Sequence, residues 1–207
     1  MKITVFTGNQ PRHLALIERL AEIADEVFAI LECNTLFPGQ VADFYAKSEI
    51  MQEYFSGVMA AEQTYFGRAR FCPRRATPFA IKEGDLNRLT ESDLAPALNS
   101  DVYVVFGASF IKGWLADYLA QRKALNVHMG LSPYYRGSSC NFWALYDGKP
   151  AMVGATVHLL THGLDSGPVL RHAVPMHISE DPFHFTMKAV VAAFEAVAGY
   201  LQRHNQL

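Results

Sequence analysis

The chain has 207 residues, half of them hydrophobic, with 18 Lys and Arg against 20 Asp and Glu and a net charge of -2. That length suits one large domain with a buried core, and the charge balance gives no electrostatic case for nucleic acid or an anionic membrane as partner. The three cysteines, Cys33, Cys72 and Cys140, are widely spaced with no CxxC or Cys/His metal pattern, so a reduced cytoplasmic setting is expected rather than a disulfide scaffold or zinc site.

The first residues run straight into a strand pattern, without the apolar core and cleavage site of a secretion signal, and no apolar run reaches the length of a membrane span. Residues 2–7 are a β-branched apolar run ending at Gly8, which predicts a buried strand. Leu14, Ile17, Leu20 and Ile23 fall on one helical face, and residues 27–31 form a second strand. Strand, helix and strand in about thirty residues make a right-handed parallel βαβ unit. Residues 41–66 read as helical, with Phe44, Met51, Tyr54, Phe55, Val58 and Met59 as apolar positions, and residues 72–78 as an irregular basic loop. This insertion is either a helix packed on the sheet flank or a substrate-side element. A buried strand at 102–106 ends at Gly107, followed by a helix over 114–123 and a strand near 124–127. Residues 154–160 alternate, 169–174 are their expected neighbour, and a long helix over 183–203 closes the pattern. The expected fold class is α/β: one domain over 1–207, with an open, Rossmann-like, mostly parallel sheet, helices on both faces and an antiparallel C-terminal strand pair.

Ligands of open α/β sheets bind at the C-terminal ends of the strands. Asn126 and His128 alternate along one strand and so share a face, while Asp165 lies in a turn between Gly163 and Gly167. Those glycines permit close backbone approach or positive φ. An amide, an imidazole and a carboxylate suit the passage of an acyl group to an amine. Protonated His128 and the Asn126 amide would stabilise the developing oxyanion. Asp165 would keep His128 charged and take the proton lost by the amine, directly or through one water. Residue types alone leave this open. Asn-x-His is a common triplet, and Asp165 can equally make an Asx-turn. His158, His162, His172, His177 and His184 are rival assignments, His162 foremost because it shares the Asp165 loop.

Over about residues 100–175 the chain resembles a known family. Asn126, His128, Leu131, Pro133, Tyr135, Arg136, Gly137, Trp143, Ala144, Gly154, Thr156, Gly163, Leu164, Asp165, Ser166 and Gly167 stand in the order and register of the 10-formyltetrahydrofolate-dependent formyltransferases. That group includes glycinamide ribonucleotide, methionyl-tRNA and sugar N-formyltransferases. The resemblance implies an N-formyltransferase in which Asn126, His128 and Asp165 are catalytic. It implies that folate is held by Ser109, Phe110, Ile111 and Lys112 and by Leu160, His162, Gly163 and Leu164, with no metal. The sequence departs from the family at Met129-Gly130, where Pro-Ser is usual, at Ser132 for Leu, and at Ser139-Cys140 for Ala-Pro. These changes bear on loop shape and leave the three catalytic groups in place. Cys140 is read as a small residue at a helix start, not as a nucleophile.

The acceptor is read from regions where the resemblance weakens. Of the loop that cradles phosphate in glycinamide ribonucleotide formyltransferases, Gly8 and Asn9 remain while the following Gly-Ser is lost and Arg12 and His13 appear; a loop entering a helix remains an anion site to which Arg12 could add a bidentate contact. The expected acceptor is a small-molecule amine, an amino sugar linked to a nucleotide. Tyr45, Tyr54, Glu62, Tyr65 and Phe66 would meet its base or sugar, and Arg74-Arg75 its pyrophosphate. The tRNA-binding domain of methionyl-tRNA formyltransferases is not expected after the last helix, nor is nucleic acid or membrane as a partner. The alternatives are a glycinamide ribonucleotide formyltransferase-like enzyme, a 10-formyltetrahydrofolate hydrolase and a non-catalytic folate-binding module. The segment from Gly154 onward could also pair across a homodimer.

Overall fold

The computed structural model describes residues 1–35, 43–68 and 70–204. In chain order the elements are β1 (Lys2–Gly8), α1 (Pro11–Ala21), β2 (Glu26–Cys33), α2 (Glu49–Phe66), β3 (Ala76–Lys82), α3 (Glu91–Leu94) and β4 (Val102–Phe106). They continue with α4 (Gly113–Gln121), β5 (Leu125–His128), α5 (Cys140–Tyr146), β6 (Ala155–Leu159), β7 (Val169–Ala173) and α6 (Pro182–His204), with short 3-10 turns between some of them. All seven strands form one sheet in the order β3-β2-β1-β4-β5-β6-β7. From β3 to β5 the neighbours are parallel, and β6 runs antiparallel to both β5 and β7. The fold class is therefore the expected one. Strand order reverses between β1 and β4, which opens a crevice at their C-terminal ends.

Period-two alternation gives the strands two buried faces. Ile3, Val5, Val27, Ala29, Val104, Phe106, Leu125 and Val127 meet α1, α2 and α6 on one side. Phe6, Ile30, Tyr103 and Val105 meet α3 and α4 on the other. α1 begins at Pro11, whose fixed φ and missing N–H suit a first helical position. α2 is capped by Ser48, which accepts from the Met51 N–H at 3.4 Å. It ends at Gly67 with φ 74°.

Two expectations need correction around the long insertion. Residues 76–78 are not loop but the start of β3, paired in parallel with β2 so that Pro78 faces Ala29. β3 is an edge strand, mostly exposed, where a proline costs no ladder bond on its open side and no apolar alternation is required. The helix expected from Val41 begins at Glu49; Val41 itself lies outside the described residues. Within α2, Tyr54 packs on Phe142 and Phe183, Tyr65 on His184, and Phe66 on Phe194. A Cβ on Gly57 would come within 2.6 Å of the Phe183 ring, so α2 and α6 pass close together there. Of the two readings of the insertion, these aromatics follow the packing one. No helix among the described residues is long and apolar enough to cross a membrane.

Candidate active site

β5 is offset along β4, with Val105 paired to Asn126, so His128 projects beyond the C-terminal rim of β4. Val105 faces the α4 side of the sheet, and Asn126 and His128 share that side. β6 places His158 opposite Asn126 and Thr156 opposite His128. Thr156 donates its hydroxyl to the Gly130 carbonyl at 2.6 Å and accepts the Ser132 N–H at 3.0 Å. It thereby stitches down the loop that follows His128. Gly154, also in the family pattern, accepts no side chain: a Cβ there would lie 2.6 Å from the Ala173 carbonyl oxygen.

The loop after β6 folds back and sets Asp165 against these groups. Asn126 Nδ2 donates to Asp165 Oδ1 at 3.1 Å, and the Gly137 N–H donates to Oδ2 at 2.9 Å. His128 Nδ1 lies 3.3 Å from the same Oδ2. The strained residue of the turn is Asp165 itself, with φ 45°, not the flanking glycines. Gly167 is needed for a different reason, since a Cβ there would stand 1.7 Å from the Leu159 carbonyl oxygen. Burial works against the Asp165 charge. The His158 ring, the Gly137 N–H and the charge of His128 outweigh it and hold the carboxyl below its ordinary 3.8.

His128 Nε2 lies 3.0 Å from the Tyr135 carbonyl, so both ring nitrogens face oxygen acceptors, a set satisfied when both carry hydrogen. The Tyr135-Arg136-Gly137 segment thus acts through its backbone, one carbonyl for the histidine and one N–H for the aspartate. His158, one of the rivals named on sequence grounds, is the partner that pattern-reading underrated. Its Nδ1 lies 2.8 Å from the Leu159 carbonyl, and its Nε2 lies 3.0 Å from Asn126 Nδ2 and 3.7 Å from Asp165 Oδ1. Unprotonated, that nitrogen accepts from Asn126; protonated, it donates to Asp165. The alternation of Asn126 and His158 across an antiparallel pair was the available signal. Burial and the Asp165 charge push the Cys140 thiol up to about 11, so although its sulfur lies 3.6 Å from His128 Nε2 it is no thiolate nucleophile.

A cleft of about 690 Å³ runs from the C-terminal ends of β1 and β2 to the Asp165 loop. Asn126, His128, His158 and Asp165 line it, together with Ser109, Phe110, Ile111, Leu160, Gly163 and Leu164 from the expected folate segments. Lys112 and His162 do not. Lys112 donates its N–H to Asn87 Oδ1 at 2.7 Å and lays its ammonium over the Phe110 ring. His162 is exposed and pairs with Asp117 at 3.4 Å. Phe110 and Leu164 are half exposed, and the Ser109 N–H is anchored by buried Glu32 at 2.6 Å. Among the described residues no cluster of His, Cys, Asp or Glu has the geometry of a metal site.

Of the expected acceptor residues, Arg12 and His13 line the cleft, whereas Gly8 and Asn9 are not on its wall. Gly8 donates its N–H to His13 Nδ1 at 2.9 Å, and Asn9 Nδ2 donates to the Thr35 carbonyl at 2.5 Å. Arg74-Arg75 is not brought to the site. Arg75 Nη1 donates to the Ala24 carbonyl, and the Arg75 carbonyl accepts the Val27 N–H, at the N-terminal edge of β2 and β3. The reason is the strand missed in this region: β3 runs parallel to β2, so the residues that precede it lie at the N-terminal edge of the sheet, away from the C-terminal rim.

Comparison with known proteins agrees with this geometry. Residues 84–202 match the family model for formyl transferase. The methionyl-tRNA formyltransferase of Thermosynechococcus vestitus is 28% identical over 161 residues, 73% of this chain and 48% of that protein. The chain thus spans half or less of the length of the curated relatives it matches. Among solved structures, phosphoribosylglycinamide formyltransferase from Bacillus halodurans superposes with a TM-score of 0.64 at 15% identity, covering 98% of this chain and 94% of that one. A sugar N-formyltransferase from Shewanella sp FDAARGOS_354 gives 0.55 at 16% identity, covering 97% and 68%. At that identity the two structures speak to the fold, whereas the model match extends over more than half of the chain, including the whole of the Asn126, His128 and Asp165 cluster: the chain belongs to the formyl transferase family.

Proposed function

We propose that this protein transfers the formyl group of 10-formyltetrahydrofolate to a primary amine of a small substrate. The observation that carries the reading is the convergence of Asn126 and His128 on the Asp165 carboxylate, at 3.1 and 3.3 Å, in the wall of one cleft. Ser109, Phe110 and Ile111 on one side and Leu160, Gly163 and Leu164 on the other would hold the folate, which when bound supplies the formyl group. Asp165, kept ionised by its neighbours, takes the proton lost by the attacking amine, directly or through one water, and that proton passes to the folate nitrogen as its bond to the formyl carbon breaks and tetrahydrofolate leaves. His128, keeping Asp165 at Nδ1, turns its Nε2 hydrogen from the Tyr135 carbonyl to the oxygen on which negative charge grows. Asn126 adds an amide hydrogen to the same oxygen, given up from its bond to Asp165 as catalytic contacts tighten on binding.

The acceptor class we favour is an amino sugar, as in the sugar N-formyltransferase that shares the fold. Its attachment to a nucleotide, suggested by sequence, finds no phosphate contact at Arg74-Arg75, which lie away from the cleft. The test is the conversion of 10-formyltetrahydrofolate to tetrahydrofolate, followed with and without a panel of amino sugars and nucleotide-linked amino sugars. Amine-dependent turnover is expected. Turnover indifferent to amine would make the protein a hydrolase, and folate binding without turnover would make it a binding module.

A further inference from the structure

The N-terminus of α1, where an anion of the acceptor would be expected to bind, is already filled by the protein's own carboxylate. Pro11 has no N–H to offer. The Arg12 N–H donates to Glu62 Oε1 at 3.0 Å, and Arg12 Nη1 donates to the same oxygen at 2.9 Å. The next two amides, of His13 and Leu14, donate to the Gln10 carbonyl at 2.9 and 3.2 Å. Glu62 comes from the C-terminal part of α2 and is 4% exposed. It therefore occupies the positive end of the helix and neutralises the guanidinium beside it. Gly8 gives its N–H to His13, whose buried ring lies against Phe106. Arg12 is the one Lys or Arg among the described residues lining the cleft. Beyond it the wall is made by the side chains of Gln10 and Asn34, bonded to each other through their amides, and by the Glu83 carboxylate.

We propose that Glu62 excludes phosphate from this end of the cleft, and that the part of the acceptor meeting α1 is held through hydroxyl or amide groups instead. A free carboxylate and two side-chain amides suit the hydroxyls of an amino sugar and repel a phosphomonoester. This deepens the formyl-transfer reading and rests on it for the identity of the ligand as acceptor. The presence of the carboxylate at α1 does not depend on that reading.

Two measurements test it. In the first, inorganic phosphate is titrated by calorimetry into the wild type and into Glu62→Gln and Glu62→Ala, with circular dichroism to establish that each variant is folded. Phosphate is expected to bind the folded variants about tenfold or more tightly than the wild type, because both Arg12 and the helix terminus are released. Equal phosphate affinity in wild type and variants would overturn the proposal. In the second, which needs no variant, wild-type kcat/KM is compared for an amine and for the same amine bearing a terminal phosphomonoester. The unphosphorylated amine is expected to be the better acceptor, and a tenfold preference for the phosphorylated one would overturn the proposal. Phosphate titration is read without turnover. A protein that formylated no amine at all would therefore contradict the proposed function while leaving the role of Glu62 decided by the first measurement.

Discussion

The Asp165 carboxylate takes hydrogen bonds from Asn126 and Gly137 and faces His128, from a backbone held at φ 45°. Asp165→Asn keeps the shape and removes the charge and the proton acceptor; His128→Ala removes the imidazole that faces it. Each is expected to lower kcat by about 10²- to 10⁴-fold while folate binding, measured by fluorescence titration, persists. Rates near wild type in both would remove the catalytic assignment. His13 offers an independent test. Burial and the Arg12 charge hold its imidazole well below the ordinary 6.5, so the unfolded chain binds a proton that the folded one refuses. Stability is then full above pH 6.5 and falls as pH drops below it, by up to about 1.4 kcal/mol per pH unit from this group. Urea unfolding across pH 5–7.5 should show the slope, and His13→Asn should flatten it. The meeting of Asn126, His128 and Asp165 was legible because all three stand in the motif that carries the family resemblance. His158 and the Gly137 N–H were not, since the first depends on a cross-strand pairing and the second on a backbone group that carries no letter of its own.

Elements hold these residues through a few backbone contacts. Buried Glu32 at the end of β2 accepts from the Ser109 N–H at 2.6 Å and the Gly84 N–H at 2.9 Å. It joins the folate-side segment after β4 to the end of β3. Glu32→Ala leaves both amides without that partner, at a cost of about 1–3 kcal/mol each if they stay buried. We expect a raised KM for the folate with kcat largely kept; an unchanged KM would show that the segment holds its shape without the clamp. Gly167→Ala has no room for its Cβ at the Leu159 carbonyl, and should lower Tm and activity together by displacing the Asp165 loop. The strand at 102–106 was readable from its apolar run, because burial on a sheet face imposes it. β3 was not, because an exposed edge strand carrying Pro78 obeys neither alternation nor apolar continuity.

At the scale of the molecule, the reversal of strand order between β1 and β4 places one cleft along the C-terminal rim. The catalytic cluster stands at one end of it and the Glu62-filled terminus of α1 at the other. Fold class was legible from the spacing of strands and helices, and the chemistry from the motif between Asn126 and Gly167. The acceptor end was not, since the sequence offered Glu62 as a contact to the acceptor's base or sugar, and its pairing with Arg12 across fifty positions of sequence follows only from the fold. The most direct measurement of the central claim follows the formyl carbon itself. With 10-formyltetrahydrofolate labelled in the formyl group, the wild type is expected to deliver label to the nitrogen of an amino-sugar acceptor, and Asp165→Asn to deliver almost none. Label released as free formate at the same rate with and without amine would contradict the account.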